Sequence, residues 1–311
     1  MSLPRQVVPG DTTMISRRCD ERRFLLRPDQ YVTQVFLFLL AYTARECNIL
    51  VHGFIVMSNH FHLLVTDPDG LLPVFMERFD SLLARSLNAY WGHWESFFAP
   101  GSYGSVRLQT PEDCMSKLIY MLTNPVKAGL VDHARRWTGA TSVRWGFGET
   151  RTFSRPGGRF FGPNSELPAE VSLTLAPLPG FEDKTPRELD ALVRERLIAR
   201  ETELRAEFRA EGQPFAGMAE VLRCDPFGRP TTREPRRGMN PRIAGKDPEV
   251  RIAAIAELTG FRREHRKARL RYEGGDHSVV FPAGTWLMRV RYGVRCQPVI
   301  PAFIGRPPPP S

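Results

Sequence analysis

Two β-rich runs, Ile49 to Met57 and Phe61 to Thr66, are parted by the turn-forming residues Ser58-Asn59, and this pair restricts the fold of the chain more than any other feature. A turn that short leaves no room for a crossover, so the runs are expected to pair antiparallel as a hairpin. Pro68 and Gly70 end the second run. Within it the side chains alternate: His60, His62 and Leu64 share one face, and Phe61, Leu63 and Val65 the other. One face presents two imidazoles side by side, while the opposite face is apolar enough to anchor the strand in a core.

The flanking segments supply partners. Thr12 to Cys19 has the β-branched start of a strand. Asp29 to Cys47 has helical apolar spacing, with Val32, Val35, Phe36, Leu39 and Leu40 on one side and Asp29 as N-cap. The helical period returns from Leu71 to Trp91, Tyr103 to Gln109 is short enough for a strand, and Thr110-Pro111-Glu112-Asp113 opens another helix, with Pro125 disfavouring its continuation. Strand, helix, two-strand hairpin, helix, strand, helix is the order of an α+β, ferredoxin-like antiparallel sheet with packed helices, plus a last helix.

At 311 residues the chain suggests two domains, or one with a long appendage. Gly146 to Pro179 is rich in Gly, Pro, Ser and Thr and reads as linker, which puts the boundaries at 1–147, 148–180 and 181–311. Beyond it we expect a charged helix over Thr185 to Gly212, packed on Leu189, Leu192, Val193 and Leu197. Then follow a Pro/Arg-rich connector, a basic helix over Pro248 to Tyr272, a β-hairpin over Ser278 to Val294 and a proline tail at Pro307 to Pro310. The C-terminal extension is thus mostly helical and basic. Cys19, Cys47, Cys114, Cys224 and Cys296 are odd in number and lack C-x-x-C spacing, which points to reduced thiols in a cytosolic protein rather than to a disulfide framework or a zinc site. The longest apolar run, Val35 to Tyr42, is far short of a membrane span, and the N-terminus has no signal-peptide pattern.

The formal charge is +9, from 43 Lys and Arg against 34 Asp and Glu, and makes nucleic acid the leading class of partner. The excess is local. Residues 1–150 are nearly balanced, whereas Arg223 to Arg271 carries most of the surplus, including Arg236-Arg237, Arg262-Arg263 and Arg266-Lys267. That block has the composition of a segment that contacts a phosphate backbone, and equally that of a solvated basic helix.

Two constellations bear chemistry. His60 and His62 can bind a divalent metal as neutral imidazoles, or simply line a polar surface. Tyr120 and Asn124, four apart on a helix, can reach one site; alternatively Tyr120 packs in the core while Asn124, Pro125 and Gly129 close the helix.

Taken together, Ser58-Asn59-His60-Phe61-His62-Leu63-Leu64-Val65 and Tyr120-x-x-x-Asn124-Pro125-Val126-x-Ala128-Gly129-Leu130-Val131 resemble the two signatures of single-tyrosine HUH transposases, in the branch called REP-associated tyrosine transposases. The resemblance extends to the early strand with Arg17-Arg18 and to Trp137 through Trp145, covers roughly residues 10 to 147, and finds no counterpart for residues 180 to 311. It implies His60, His62 and Asn124 as ligands of Mg²⁺ or Mn²⁺ and Tyr120 as a nucleophile that forms a 5′-phosphotyrosine intermediate. It further implies cleavage and rejoining of single-stranded DNA near hairpins, by a monomer or homodimer associated with the nucleoid. A host-tamed nuclease and a non-catalytic DNA-binding regulator are the alternatives. Arg17, Arg18, Arg22 and Arg23, with Tyr90, Trp91, Trp94, Phe97, Phe98 and Tyr103, could supply phosphate and stacking contacts in the first half, although most of those aromatics are better read as core and the arginines can equally be solvated. His52 could support the site from behind the two histidines, but is better read as a hydrogen-bonded sheet residue.

Overall fold

The computed structural model describes residues 3–101, 103–162, 165–232, 242–302 and 304. Its centre is a sheet built from β1 (Asp11–Arg18), β2 (Leu50–Met57), β3 (His60–Asp67) and β4 (Gly104–Leu108), with α1 (Gln30–Glu46), α2 (Leu72–Trp91) and α3 (Pro111–Leu122) in the expected chain positions. The strand order is β2-β3-β1-β4, every neighbour antiparallel, which is the ferredoxin-like arrangement. A fifth strand, β7 (Ile243–Ala244), adds parallel to β4 from the C-terminal part of the chain.

Residues opposite one another in neighbouring strands point to the same face, so the register sorts the sheet into two sides. Phe61, Leu63 and Val65 face α1 and α2, where the rings of Phe36, Phe61 and Phe79 lie 5.2–5.5 Å apart in edge-to-face contacts. Asp29 caps α1 as expected, its carboxylate accepting from the Val32 amide. The other face carries His60, His62 and Leu64, and here α3 lies close. A Cβ built on Gly53, the partner of Leu64, would stand 2.5 Å from both Leu118 and Met121. Thr110 and Asp113 form a capping box that fixes where α3 begins.

Pro125 does not end helical structure outright. After a break at Thr123 the chain makes one more turn, α4 (Asn124–Lys127), with proline in the first turn, where its missing N–H costs nothing. The chain then returns along the free edge of β2: Val56 N donates to Ala140 O, Ser142 N to Phe54 O, and the buried Trp137 indole to Val56 O at 2.8 Å.

Residues 148–180, expected as linker, instead hold a hairpin of β5 (Thr150–Ser154) and β6 (Glu170–Thr174). Val171 and Leu173 are buried, Phe161 meets Phe38 of α1, and Trp145 stacks on Phe153, so this stretch shares the main core. The alternating pattern of two five-residue strands was hidden by the Gly- and Pro-rich residues between them. A long helix, α5 (Pro186–Ala210), packs Leu189, Leu197 and Leu204 into the same core, as its apolar side suggested, and α6 (Met218–Arg223) follows. The basic helix α7 (Pro248–Glu273) joins α8 (Leu287–Tyr292) around a small cluster of Ala268, Val279, Phe281, Met288 and Val294. No hairpin forms over Ser278 to Val294. Its apolar residues serve that cluster through a short helix, which ends at Gly293 in a left-handed conformation, φ 64°. Arg236, Arg237 and Pro307 to Pro310 lie outside the described residues. Among the described residues no helix is long and apolar enough to cross a membrane.

The close approach of α3 to β2 depends on the missing side chain at residue 53. Gly53→Val should cost about 1–3 kcal/mol by overpacking, seen as a lower urea midpoint with an unchanged m-value, whereas an unaltered midpoint would show that α3 does not press on that position.

Candidate functional site

His60 and His62 project from β3 on the face covered by α3, their ring centroids 4.9 Å apart. The alternation that buries Phe61 between them leaves no other orientation. His60 is held through Nδ1, 2.7 Å from the Asn59 side-chain oxygen. Geometry at the β2–β3 turn thus sets the imidazole direction, because the residue before the first histidine is its hydrogen-bond partner. Burial pushes both histidines down from the ordinary value, His60 to about 3 and His62 to about 4, with Arg18 adding positive charge beside each. Both are therefore neutral at physiological pH, the state in which an imidazole nitrogen ligates a metal.

Tyr120 reaches the same place from α3. Its ring lies edge-on to His62 with centroids 6.3 Å apart, and 41% of the residue is exposed. It is therefore neither a core tyrosine nor distant from the histidines, and the cluster forms within one chain. Two residues missed in the sequence join it: the ammonium groups of Lys117 and Lys127 stand 5.6 and 5.2 Å from the Tyr120 ring centroid. Lys117 precedes Tyr120 by three positions, a helical spacing that could have disclosed it. Lys127 is seven positions on and across the break at Thr123, in the extra turn of α4.

Asn124 opens α4 one turn beyond Tyr120, with its amide nitrogen buried and unpartnered, while the His62 ring has the Ile15 backbone beside it. An unsatisfied buried donor on one of the three expected ligands fits a site completed by something polar from outside, since such a group is costly when left alone. Among the described residues no three His, Cys, Asp or Glu side chains converge. An ion bound by the two imidazoles would therefore take further ligands from an amide oxygen, water or phosphate. That mixed nitrogen and oxygen set suits Mn²⁺ and is acceptable to Mg²⁺, which favours oxygen more strongly.

The arginines of the early strand divide by alternation. Arg18 pairs with His60 across β1–β3 and so lies on the site face. Arg17 points to the other face, where it binds Asp80 at 2.9 Å and the carbonyls of Ala99 and Gly101. Arg22 adds charge near His60 and donates to Thr232 O, while Arg23 is engaged by Glu21 and Glu95. Of the aromatic group, Phe97 and Phe98 are core and the Trp91 indole donates to Leu25 O, whereas Trp94 is 89% exposed. His52 is satisfied within the sheet by Thr66 Oγ1 at 2.7 Å and Ala176 O at 3.2 Å. In α7, Arg263 and Lys267 both pair with Glu264, and Arg262 and Arg266 line a groove described below.

No protein-family model and no curated protein matches the chain. Among solved structures it is similar to a REP-associated tyrosine transposase bound to a REP hairpin, with 16% identity over 46% of this chain and 82% of that one and a TM-score of 0.40. It is also similar to a putative transposase from Deinococcus radiodurans R1, with 20% identity over 34% of this chain and 85% of that one and a TM-score of 0.27.

Because the folded pKa values of His60 and His62 lie below the unfolded value near 6.5, the stability tied to them is fully present above pH 6.5 and is lost as the pH falls through about 4 for His62 and about 3 for His60. Imidazole ¹⁵N shifts of both rings should therefore still report the neutral form at pH 5.5, and a protonation midpoint near 6.5 would contradict the burial that keeps both rings neutral.

Proposed function

We propose that the chain is a single-tyrosine HUH transposase-type enzyme that cleaves and rejoins single-stranded DNA near hairpins. The observation that carries this reading is the exposed Tyr120 ring lying against His62, itself beside His60, with both imidazoles held neutral.

The residues divide the work. His60, His62 and Asn124 would hold a divalent ion, which when bound supplies Lewis-acid polarisation of the scissile phosphodiester. Tyr120 attacks phosphorus through its phenolic oxygen. A new P–O bond forms to tyrosine, the bond from phosphorus to the 3′-oxygen breaks, and the proton lost by the phenol is balanced by one gained at the departing 3′-hydroxyl. The 5′-phosphate stays on Tyr120, so the bond energy is kept and a 3′-hydroxyl of another strand can reverse the step. Lys117 and Lys127 are placed to meet the negative charge of the phosphate as it approaches the tyrosine. Arg18, on the same face as the histidines, is placed to hold the adjacent backbone. The orphaned amide nitrogen of Asn124 could donate to a phosphate oxygen of the bound strand.

Denaturing gels of the protein incubated with Mn²⁺ or Mg²⁺ and hairpin-bearing oligonucleotides test the reading. A 3′-labelled strand should give a denaturation-resistant labelled adduct, and a 5′-labelled strand a shorter free product ending in a 3′-hydroxyl. Tyr120→Phe should abolish the adduct, and His60→Ala or His62→Ala should lower its rate by about 100-fold or more through loss of the polarising ion. An adduct of undiminished yield from Tyr120→Phe would remove Tyr120 from the nucleophile's role, and no adduct from wild type across a hairpin pool would leave a binding protein.

A further inference from the structure

On the opposite side of the molecule three arginines from distant segments converge. Arg5 from the N-terminal segment, Arg242 beside β7 and Arg262 from α7 line a groove of about 1380 Å³, whose far wall is formed by Leu270, Trp286 and Leu287. A smaller pocket of about 70 Å³ shares the same three arginines and is also lined by Asp67 and by Asp11, which pairs with Arg107. The groove lies on the face away from the histidines. Arg107 pairs through Thr13 with Val65, which puts it on the Phe61 side of the sheet, and Glu257 of α7 binds Arg107 there at 3.1 Å.

The guanidiniums are positioned, not loose. Arg5 stacks over the Tyr103 ring, 3.9 Å from its centroid, and donates to the Tyr103 carbonyl. Arg242 is tied into the sheet, its carbonyl accepting from Arg107 N at 2.8 Å. Yet Nη1 of Arg242 and Nε of Arg262 are buried and have no hydrogen-bond partner among the described residues. Burial and the charges of Arg5 and Arg262 pull Arg242 below the usual arginine range. Like charges gathered around unsatisfied donors are unfavourable by themselves, and a phosphate both neutralises them and accepts their hydrogen bonds. The apolar and aromatic wall settles what carries the phosphate. Leu270 and Leu287 are exposed, and with Trp286 they offer surface to unstacked bases, which a duplex keeps inside.

We infer that this groove is a second nucleic-acid site that takes a single-stranded segment, its phosphate on Arg242 and Arg262 and a base against Trp286. That the polymer is DNA rests on the function proposed above.

Fluorescence anisotropy with an oligothymidylate of about a dozen nucleotides tests it on the full-length Tyr120→Phe chain, so that binding is read without cleavage. Arg242→Gln with Arg262→Gln should weaken binding about tenfold or more and flatten the salt dependence by about 0.7 log unit for each arginine removed. Trp286→Ala should weaken it about fivefold or more with the salt slope kept. The control pair Arg136→Gln with Arg200→Gln, surface arginines outside the groove, should change affinity less than about twofold. Wild-type affinity and slope in the groove variant overturn the inference, as does an equal loss in the control. A groove that takes inorganic phosphate as tightly as the oligonucleotide also overturns it, marking a small-anion site. If the variants do not fold, bromodeoxyuridine crosslinking of the unaltered groove answers the same question, since crosslinks that never fall on the peptide containing Trp286 overturn the inference. A chain that binds here but forms no adduct as wild type would fail the proposed cleavage and leave the groove standing.

Discussion

Everything at the site depends on the alternation of one strand. In β3 the same six residues supply an aromatic and aliphatic wedge to one face and two imidazoles to the other. Phe61 meets Phe36 and Phe79, so the strand cannot slip by one residue without bringing the histidines into an apolar core and the phenylalanine to the site. Core packing therefore fixes the geometry of the chemistry. The same alternation acts on β1, where Arg18 is delivered to the site face and Arg17 to Asp80 on the other.

The second requirement is a helix that lies low over that face. Three features far apart in sequence cooperate: the Thr110–Asp113 capping box fixes where α3 starts, Gly53 lets Leu118 and Met121 settle on β2, and α5 packs against α3, its Arg196 paired with Glu112. Tyr120 sits at the edge of this contact, packed enough to be oriented and exposed enough to meet a strand. The break at Thr123 matters in the same way. Beyond it the turn of α4 carries Lys127, whose ammonium stands 5.2 Å from the Tyr120 ring centroid.

The ferredoxin-like order, the caps of α1 and α3 and the pairing of His60 with His62 were all legible in the sequence, because each is a local pattern of period two or 3.6 with a recognisable terminator. The β5–β6 hairpin was not, since its strands are short and the chain between them has the composition of a loop. The helix at Leu287–Tyr292 reads equally as a strand, because in Leu-Met-Arg-Val-Arg-Tyr apolar and basic residues nearly alternate until packing partners are known, and Met288 finds them in Phe281 and Val294. Least legible was the arginine cluster. Arg5, Arg242 and Arg262 come from segments more than two hundred residues apart, and only the parallel addition of β7 to β4 brings the last two beside the first.

The distribution of charge follows from this division. A covalent step at phosphorus needs a few groups held to fractions of an ångström, which the nearly balanced first half supplies through strand register and helix caps. Affinity for a polyanion needs cationic surface, and charge beyond that of Arg18, Arg22, Lys117 and Lys127 beside the histidines would further repel a bound cation. In the chain most of the excess lies between Arg223 and Arg271, and the groove it helps to line is on the far face of the sheet. Under the proposed chemistry that separation has a use. Cleavage leaves one DNA end covalently on Tyr120 and the other end free, and a second grip remote from the tyrosine can retain a strand without competing for the metal or the attacking oxygen. A basic segment wrapped onto the catalytic face would have blocked the exchange of one 3′-end for another, the step by which a stored phosphotyrosine bond becomes strand transfer rather than a dead-end adduct.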